Sequence, residues 1–322
     1  MTANYVSVHG NRLGLAGNGV LRVDGRDFKS GVVPNLGKDI YVDSVTGADT
    51  SDGLTPDRAL ATLDAAFAKC TANKGYVIYV LPNHSETVTG AAGIAHDVAG
   101  VSVIGLGHGG QRPTFLMDAS TAVTYKITGS DAIVHNLVFN SGHADVVTCI
   151  DVQTATDVWI DSCEFGDNTT NENWLTCIKS GTTTDNQCDG LKVTNCKWTS
   201  PDAGCLEFIE HTGDVDRLHV EGNYVRHNGT NSPLILSTAG DDLQDGLIKG
   251  NMITTKINAS AVGILSNNQT DNTGIIAENY VGHLDVAGEV LATGENSGMY
   301  CFENRMSGVV TASGYLLPAA DS

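Results

Sequence analysis

The feature that most constrains this chain is a short phrase that keeps returning: apolar, variable, small or polar, Asn or Cys, variable, apolar. It reads Ile160-Asp161-Ser162-Cys163-Glu164-Phe165, then Val193-Thr194-Asn195-Cys196-Lys197-Trp198, then Val220-Glu221-Gly222-Asn223-Tyr224-Val225. Copies follow around Asn251, Asn279 and Asn304, and an earlier one surrounds Leu137. Successive steps from Leu137 to Asn304 are 26, 33, 27, 28, 28 and 25 residues. A second series (Cys149, Cys177, Cys205, Pro233, Gly263, Val290) advances by 28, 28, 28, 30 and 27. Two series sharing a period near 28 predict a solenoid. A helical solenoid would need a long helical pattern in every repeat, and the repeats carry none.

Short apolar stretches between Asn/Asp/Gly/Thr turns, stacked coil on coil, make an all-β parallel β-helix. Stacking puts equivalent residues roughly 4.8 Å apart, so like side chains form ladders. The expected core ladders are Cys149/Cys177/Cys205, Cys163/Cys196, and Asn223, Asn251, Asn279 and Asn304. An inward Asn at a turn can bond neighbouring amides and the next Asn, satisfying buried backbone groups. The cysteines read as small apolar core residues. They show no CxxC or Cys/His metal spacing, and reduced thiols suit a cytosolic origin.

Four segments are expected: an arm over 1–38, an opening strand, loop and capping helix over 39–75, the β-helix over 76–306, and a tail or cap over 307–322. In the second, Thr55 suits a helix N-cap and Pro56 the first helical position. Leu60, Leu63, Ala66, Phe67 and Cys70 recur at helical spacing, predicting about four turns over the open first coil.

Charge separates the arm from the body. The chain has 322 residues, 37 acidic and 18 basic, for a net charge of −19. Residues 1–38 hold five basic and two acidic residues, and the remainder 13 and 35. The arm either packs on its own acidic body or docks onto an acidic partner. Docking would use Arg12, Arg22, Arg26 and Lys29 for steering and Val20, Leu21, Val23 and Phe28 for burial. Such acidity argues against nucleic-acid binding, which needs Lys/Arg clusters. No apolar run is long enough for membrane insertion, and no secretory signal is expected at the Met1 end.

Chemistry is harder to place. Asp214, Asp216 and Arg217, beside Glu207, Glu210 and Arg226, could supply acid, base and electrostatic groups for sugar cleavage. Solvated turns are the favoured account, because charge runs usually solvate a face. Asp43, Asp49 and Asp52 could hold Ca²⁺, but the loop lacks a closing bidentate Glu, and a tight turn is expected instead. No cofactor is expected. His211, His219 and His227 read as surface or turn residues. Trp159, Trp174 and Trp198 are few for a sugar groove.

The run Tyr41-Val42-Asp43, Gly47, Asp49, Asp52-Gly53, Pro56, Ala59, Leu63, Ala66 resembles the opening of right-handed parallel β-helix proteins of the pectate-lyase-like superfamily. That likeness covers roughly residues 39–306. The fold hosts lyases, hydrolases, tailspikes and inert structural proteins, so it leaves function open. More narrowly, Leu13-Gly14-Leu15-Ala16-Gly17 through Asp24-Gly25-Arg26-Asp27-Phe28 into Gly37-Lys38-Asp39 resembles phage-encoded virion β-helix proteins. This resemblance implies a homotrimeric capsid decoration or tail-associated protein, assembled in the host cytoplasm. Its partners would be its own copies and the major capsid protein or another virion protein. A polysaccharide depolymerase, or a non-catalytic module binding a host-surface glycan, are the competing expectations.

Overall fold

A computed structural model describes residues 5–8, 11–15, 21–23, 26–28, 37–90, 93–167, 172–181, 185–229, 231–237, 241–255, 263–266, 272–283, 291–293, 298–307 and 314–316. The chain divides into two units, Met1–Gly37 and Lys38–Ser322.

The first unit is an antiparallel meander of four strands, Tyr5–Val8, Asn11–Leu15, Leu21–Val23 and Arg26–Phe28. Between the last two strands stands Asp24-Gly25, a pair suited to a two-residue hairpin. Arg12, Leu21, Arg22, Val23, Arg26 and Phe28 lie on these strands. Val20 and Lys29 lie outside the described residues.

The second unit is a parallel β-helix in which successive coils add strands to three sheets of ten, ten and eight strands. The first sheet runs from Asp39–Val42 to Gly298–Phe302, the second from Ser85–Val88 to Gly314–Leu316, and the third from Ile94–His96 to Leu291–Thr293. Every pairing in these sheets is parallel except the last of the second sheet, where Gly314–Leu316 runs antiparallel to Asn304–Ser307.

The corner between first and second sheets explains the repeated phrase. It is a two-residue turn. Its first residue takes positive φ in coil after coil: Asn136 (58°), Ser162 (55°), Asn195 (53°), Gly222 (67°), Gly250 (64°), Glu278 (57°) and Glu303 (54°). Its second residue points inward. Asn223, Asn251, Asn279 and Asn304 form a buried ladder there. Their amide groups link at 2.9 Å at each of the three steps. Each Oδ1 also accepts the backbone N–H of the preceding coil's ladder residue, at 2.8 Å from Cys196 and 3.0, 2.9 and 3.1 Å thereafter. Asn251 and Asn279, in the middle of the ladder, each accept two bonds and donate two, so their amides are fully satisfied.

Further in, the second sheet stacks Phe115, Phe139, Phe165 and Trp198 in one fully buried row. Ring centroids along it are 5.8 Å and 5.9 Å apart for the three phenylalanines. All eight cysteines are free thiols, and burial pushes those of Cys149, Cys177 and Cys196 well above their ordinary value.

Two expectations are corrected. Cys149 and Cys177 are neighbours, but the next position in that ladder is Phe208, because Thr176 pairs with Glu207 and Ile178 with Ile209. Cys205 is buried outside the ladder, its thiol donating to the Asp202 carbonyl at 2.9 Å. The capping helix is also short. Thr55 opens only a 3₁₀ turn, Pro56–Arg58. Leu60 is pulled into extended pairing, donating to the Tyr41 carbonyl and accepting from Asp43 N–H, both at 2.8 Å. The α-helix is Leu63–Phe67, capped by the Thr62 side chain. Its buried Leu63, Ala66 and Phe67 join the core. Among the described residues no helix is long and apolar enough to cross a membrane.

Candidate functional site

Strand geometry turns alternate residues of the first sheet outward, and stacking aligns them in rows. One outward row is Trp159, Lys192, His219 and Leu247, in register across four coils. The neighbouring row is Asp161, Thr194, Glu221 and Lys249. The positive-φ corner residues Asn195, Gly222, Gly250 and Glu278 border the second row. Trp159, Lys192, His219, Thr194, Glu221 and Lys249 of these rows, with the four corner residues, line a groove of about 580 Å³.

Its concavity comes from two glycines. Neighbouring coils carry Asn195 and Glu278 where Gly222 and Gly250 stand. A side chain at Gly250 would meet nothing within 4 Å, and at Gly222 it would stand 3.0 Å from Asn195 Oδ1. The left-handed backbone admits glycine at no steric cost, so the same residue that suits the turn also opens the floor.

A hydrogen-bond chain fixes the aromatic wall. Trp159 Nε1 donates to Thr194 Oγ1 at 2.8 Å, and Thr194 in turn donates to Asp161 Oδ1 at 2.5 Å. Asn195 Nδ2 donates to the same oxygen at 2.9 Å, while His135 and Ser162 engage the other at 2.8 and 3.0 Å. Burial acts to raise the Asp161 pKa, but these bonds outweigh it and hold the carboxyl below its ordinary value. The indole is thereby locked while 40% of Trp159 stays exposed. Along the rim Lys249 pairs with Glu278 at 3.4 Å, and His219 Nε2 lies 2.8 Å from the Glu221 carboxylate, at hydrogen-bonding distance. Lys192 has no ion-pair partner among the described residues.

The acidic clusters have other tasks. Asp214 Oδ1 accepts the Asp242 N–H at 2.7 Å. The Asp216 N–H donates to Asp189 Oδ1 at 3.0 Å, and burial, then Asp189 and Asp245, raise the Asp216 carboxyl. Arg217 takes positive φ at the turn into the first sheet, as do Asp131, Asp157, Gly190 and Asp245. Its guanidinium reaches back 3.4 Å to Asp157, across Gly190, where a side chain would collide with the Asp157 carboxylate. Glu207 and Glu210 instead stand on the third sheet. Glu207 accepts from Thr176 and Asn231, both at 2.8 Å, and burial raises its pKa; Glu210 pairs with Lys179 at 2.9 Å. A cluster continuous in sequence is therefore split between a sheet face and a turn.

The three aspartates of the opening loop do not converge either. Asp43 accepts from Val45 N–H and Thr46 Oγ1, Asp49 from Ala61 and Thr62, and Asp52 from Leu54 N–H and Arg58. Asp43 and Asp52 each close a local turn, whereas Asp49 ties the loop to the residues just before the α-helix. Among the described residues no group of His, Cys, Asp and Glu is arranged to hold a metal ion. His211 corrects the surface expectation: it is fully buried, with Ser180 Oγ 2.7 Å from Nδ1 and the Gly213 carbonyl 2.8 Å from Nε2. His219 stands in the groove, and the side chain of His227 lies outside the described residues.

Neither family models nor curated proteins match this chain. A solved structure named rhamnogalacturonan lyase matches 87% of this chain and 90% of its own, with TM-score 0.51 and 10% identity. At that identity the likeness is one of fold, a parallel β-helix.

Proposed function

We propose that this chain is a structural component of a virus particle: a stiff β-helix trunk, homotrimeric, mounted through its N-terminal sheet on the major capsid protein or another virion protein. The supporting observation is the coincidence of a structural boundary with a charge reversal. Residues 1–37 form a unit of their own with four basic and two acidic residues, against 14 and 35 in the rest. Opposite charge speeds and orients docking, and burial of Val20, Leu21, Val23 and Phe28 would hold the docked state. The engagement of Asp214 by the Asp242 N–H and of Arg217 by Asp157 favours this reading over a depolymerase built on them.

The test is quantitative mass spectrometry of purified particles from the source, with full-length chain and a variant lacking residues 1–38. Full-length protein is expected in particles and the truncated protein is expected to stay folded but unbound. Equal incorporation of both forms, or absence of the full-length chain from particles, overturns the proposal. Release of unsaturated or reducing sugar ends from host glycans would favour the depolymerase.

A further inference from the structure

We infer that copies of this chain associate through an apolar corner formed by the last coils of the trunk, the first-sheet face of one chain packing on the second-sheet face of the next around a threefold axis along the coils. The inference rests on the homotrimer proposed above and assigns its contact surface.

The outer face changes character along the trunk. On either side of the corner, one coil presents Trp159, Asp161 and Glu164, and the next Lys192, Thr194 and Lys197. From Tyr224 onward the charges give way. On the second sheet Tyr224, Met252 and Tyr280 stand in register. On the first sheet Leu247, Ile275 and Tyr300 continue the row that began with Trp159, and Phe302 lies on the same strand as Tyr300. Among the described residues nine large apolar side chains stand open to solvent, and five of them share this corner: Tyr224, Met252, Ile275, Tyr300 and Phe302. Single exposed apolar residues are ordinary, but a contiguous patch marks a contact.

Its size suits association. At about 200 Å² for a large side chain, the five leave roughly 500 Å² of apolar surface open. That matches the apolar part of a specific interface of about 800 Å² per partner. Shared between two neighbours, each contact is small, and ring closure compensates because every chain is held twice.

The occupant follows from how the patch is laid out. A foreign partner needs apolar surface on one face only. Here two faces carry it in the same coils, Leu247 with Met252 and Ile275 with Tyr280. Rotation about an axis along the coils leaves the height of each coil unchanged, so these are the side chains that meet when one chain's first sheet packs on the next chain's second sheet. Charge does not oppose the approach. Lys249 and Glu278 pair at 3.4 Å, and Glu303 and Arg305 bring one charge of each sign to the last coil.

The experiment is sedimentation velocity of the full chain at micromolar concentration, with far-ultraviolet circular dichroism to check the fold. Wild type is expected to sediment as a trimer. Tyr300→Glu on the first-sheet face and Met252→Glu on the second-sheet face should each weaken association at least about a hundredfold, because every trimer would bury three unpaired carboxylates. Either variant suffices, since each contact uses one face of each kind. Both side chains stand open to solvent, Tyr300 at 74% and Met252 at 47%, so the spectrum is expected to be unchanged. Val147→Glu, at a position 53% exposed on the third sheet, should remain trimeric. A wild-type trimer that survives both corner substitutions, or that Val147→Glu dissociates as readily, overturns the surface and leaves the homotrimer standing. A wild-type monomer or dimer overturns the homotrimer and the surface with it.

Discussion

The two halves of the trunk solve one corner in different ways. Up to Trp198 the inward corner position holds Leu137, Cys163 and Cys196, beside the large rings of Phe115, Phe139, Phe165 and Trp198. From Asn223 onward it holds four asparagines, beside Val225, Ile253 and Val281. The row of carbonyls they face is the same. Asn223, Asn251, Asn279 and Asn304 donate Nδ2 to Val193, Val220, Ile248 and Ile276 at 2.9, 2.9, 3.0 and 2.7 Å. Cys163 and Cys196 aim their thiols at Val134 and Ile160, one coil back, at 3.6 and 3.8 Å. The thiol is thus a weaker donor in the place of an amide. Where rings fill the coil, packing stabilises it; where they give way to smaller side chains, an amide network does.

Five measurements can break or sharpen that contrast, read as shifts in urea unfolding midpoint. Trp198→Ala removes the largest ring of the first half and is expected to cost about 3–5 kcal/mol, in the range of buried aromatic truncations. Asn251→Ala strands the Asn223 N–H and the Val220 carbonyl and interrupts the ladder. Its expected cost is about 3 kcal/mol, reflecting buried groups left without partners. The converse exchange, Cys196→Asn, extends the ladder by one rung and should change stability by less than about 1 kcal/mol. If Asn251→Ala proves as mild as Cys196→Asn, the amide network is not what holds the second half.

The fourth measurement uses acid. His96, buried against Phe67 and Tyr125, has its pKa pushed down to about 3 by burial. The unfolded chain therefore takes up the proton first, near pH 6.5. The neutral imidazole contributes stability fully above that value and loses it progressively as pH falls toward 3. Wild type should lose about 2 kcal/mol between pH 7 and 5 from this group, and His96→Gln should lack that portion of the slope. Burial also lowers the His211 pKa, which adds a slope of the same sign in the other half and survives in His96→Gln. The smallest effect is expected for Glu303→Gly, which relieves a positive φ of 54° at an exposed corner. A gain of about 0.5–1 kcal/mol should appear as a later midpoint.

The ladder was legible because its residue type, spacing and role coincide: asparagine every 25–28 residues can only serve a stacked turn. The Cys205 position was not, because the step from Cys177 to its true neighbour Phe208 exceeds the period, and a chance cysteine at the regular interval masked it. Helical spacing over 55–70 misled for a related reason. Leu60 suits a helix locally but gains more by pairing with Tyr41 and Asp43 and burying its side chain completely. The groove was the least visible feature. Its members are scattered over about 120 residues, and its defining trait is the absence of side chains at Gly222 and Gly250. Aligning the coils and reading the outward column Trp159, Lys192, His219 would have exposed it.

The reversed strand Gly314–Leu316 bears on assembly. A parallel solenoid ends on hydrogen-bonding groups spaced to receive another coil, whether from its own chain or from a neighbouring molecule. On the second sheet that position is filled by a strand of opposite direction, whose outer edge presents the alternating narrow and wide spacing of an antiparallel ladder. A second molecule cannot simply resume the winding there. Head-to-tail growth into a filament therefore meets a strand of opposite direction at that sheet.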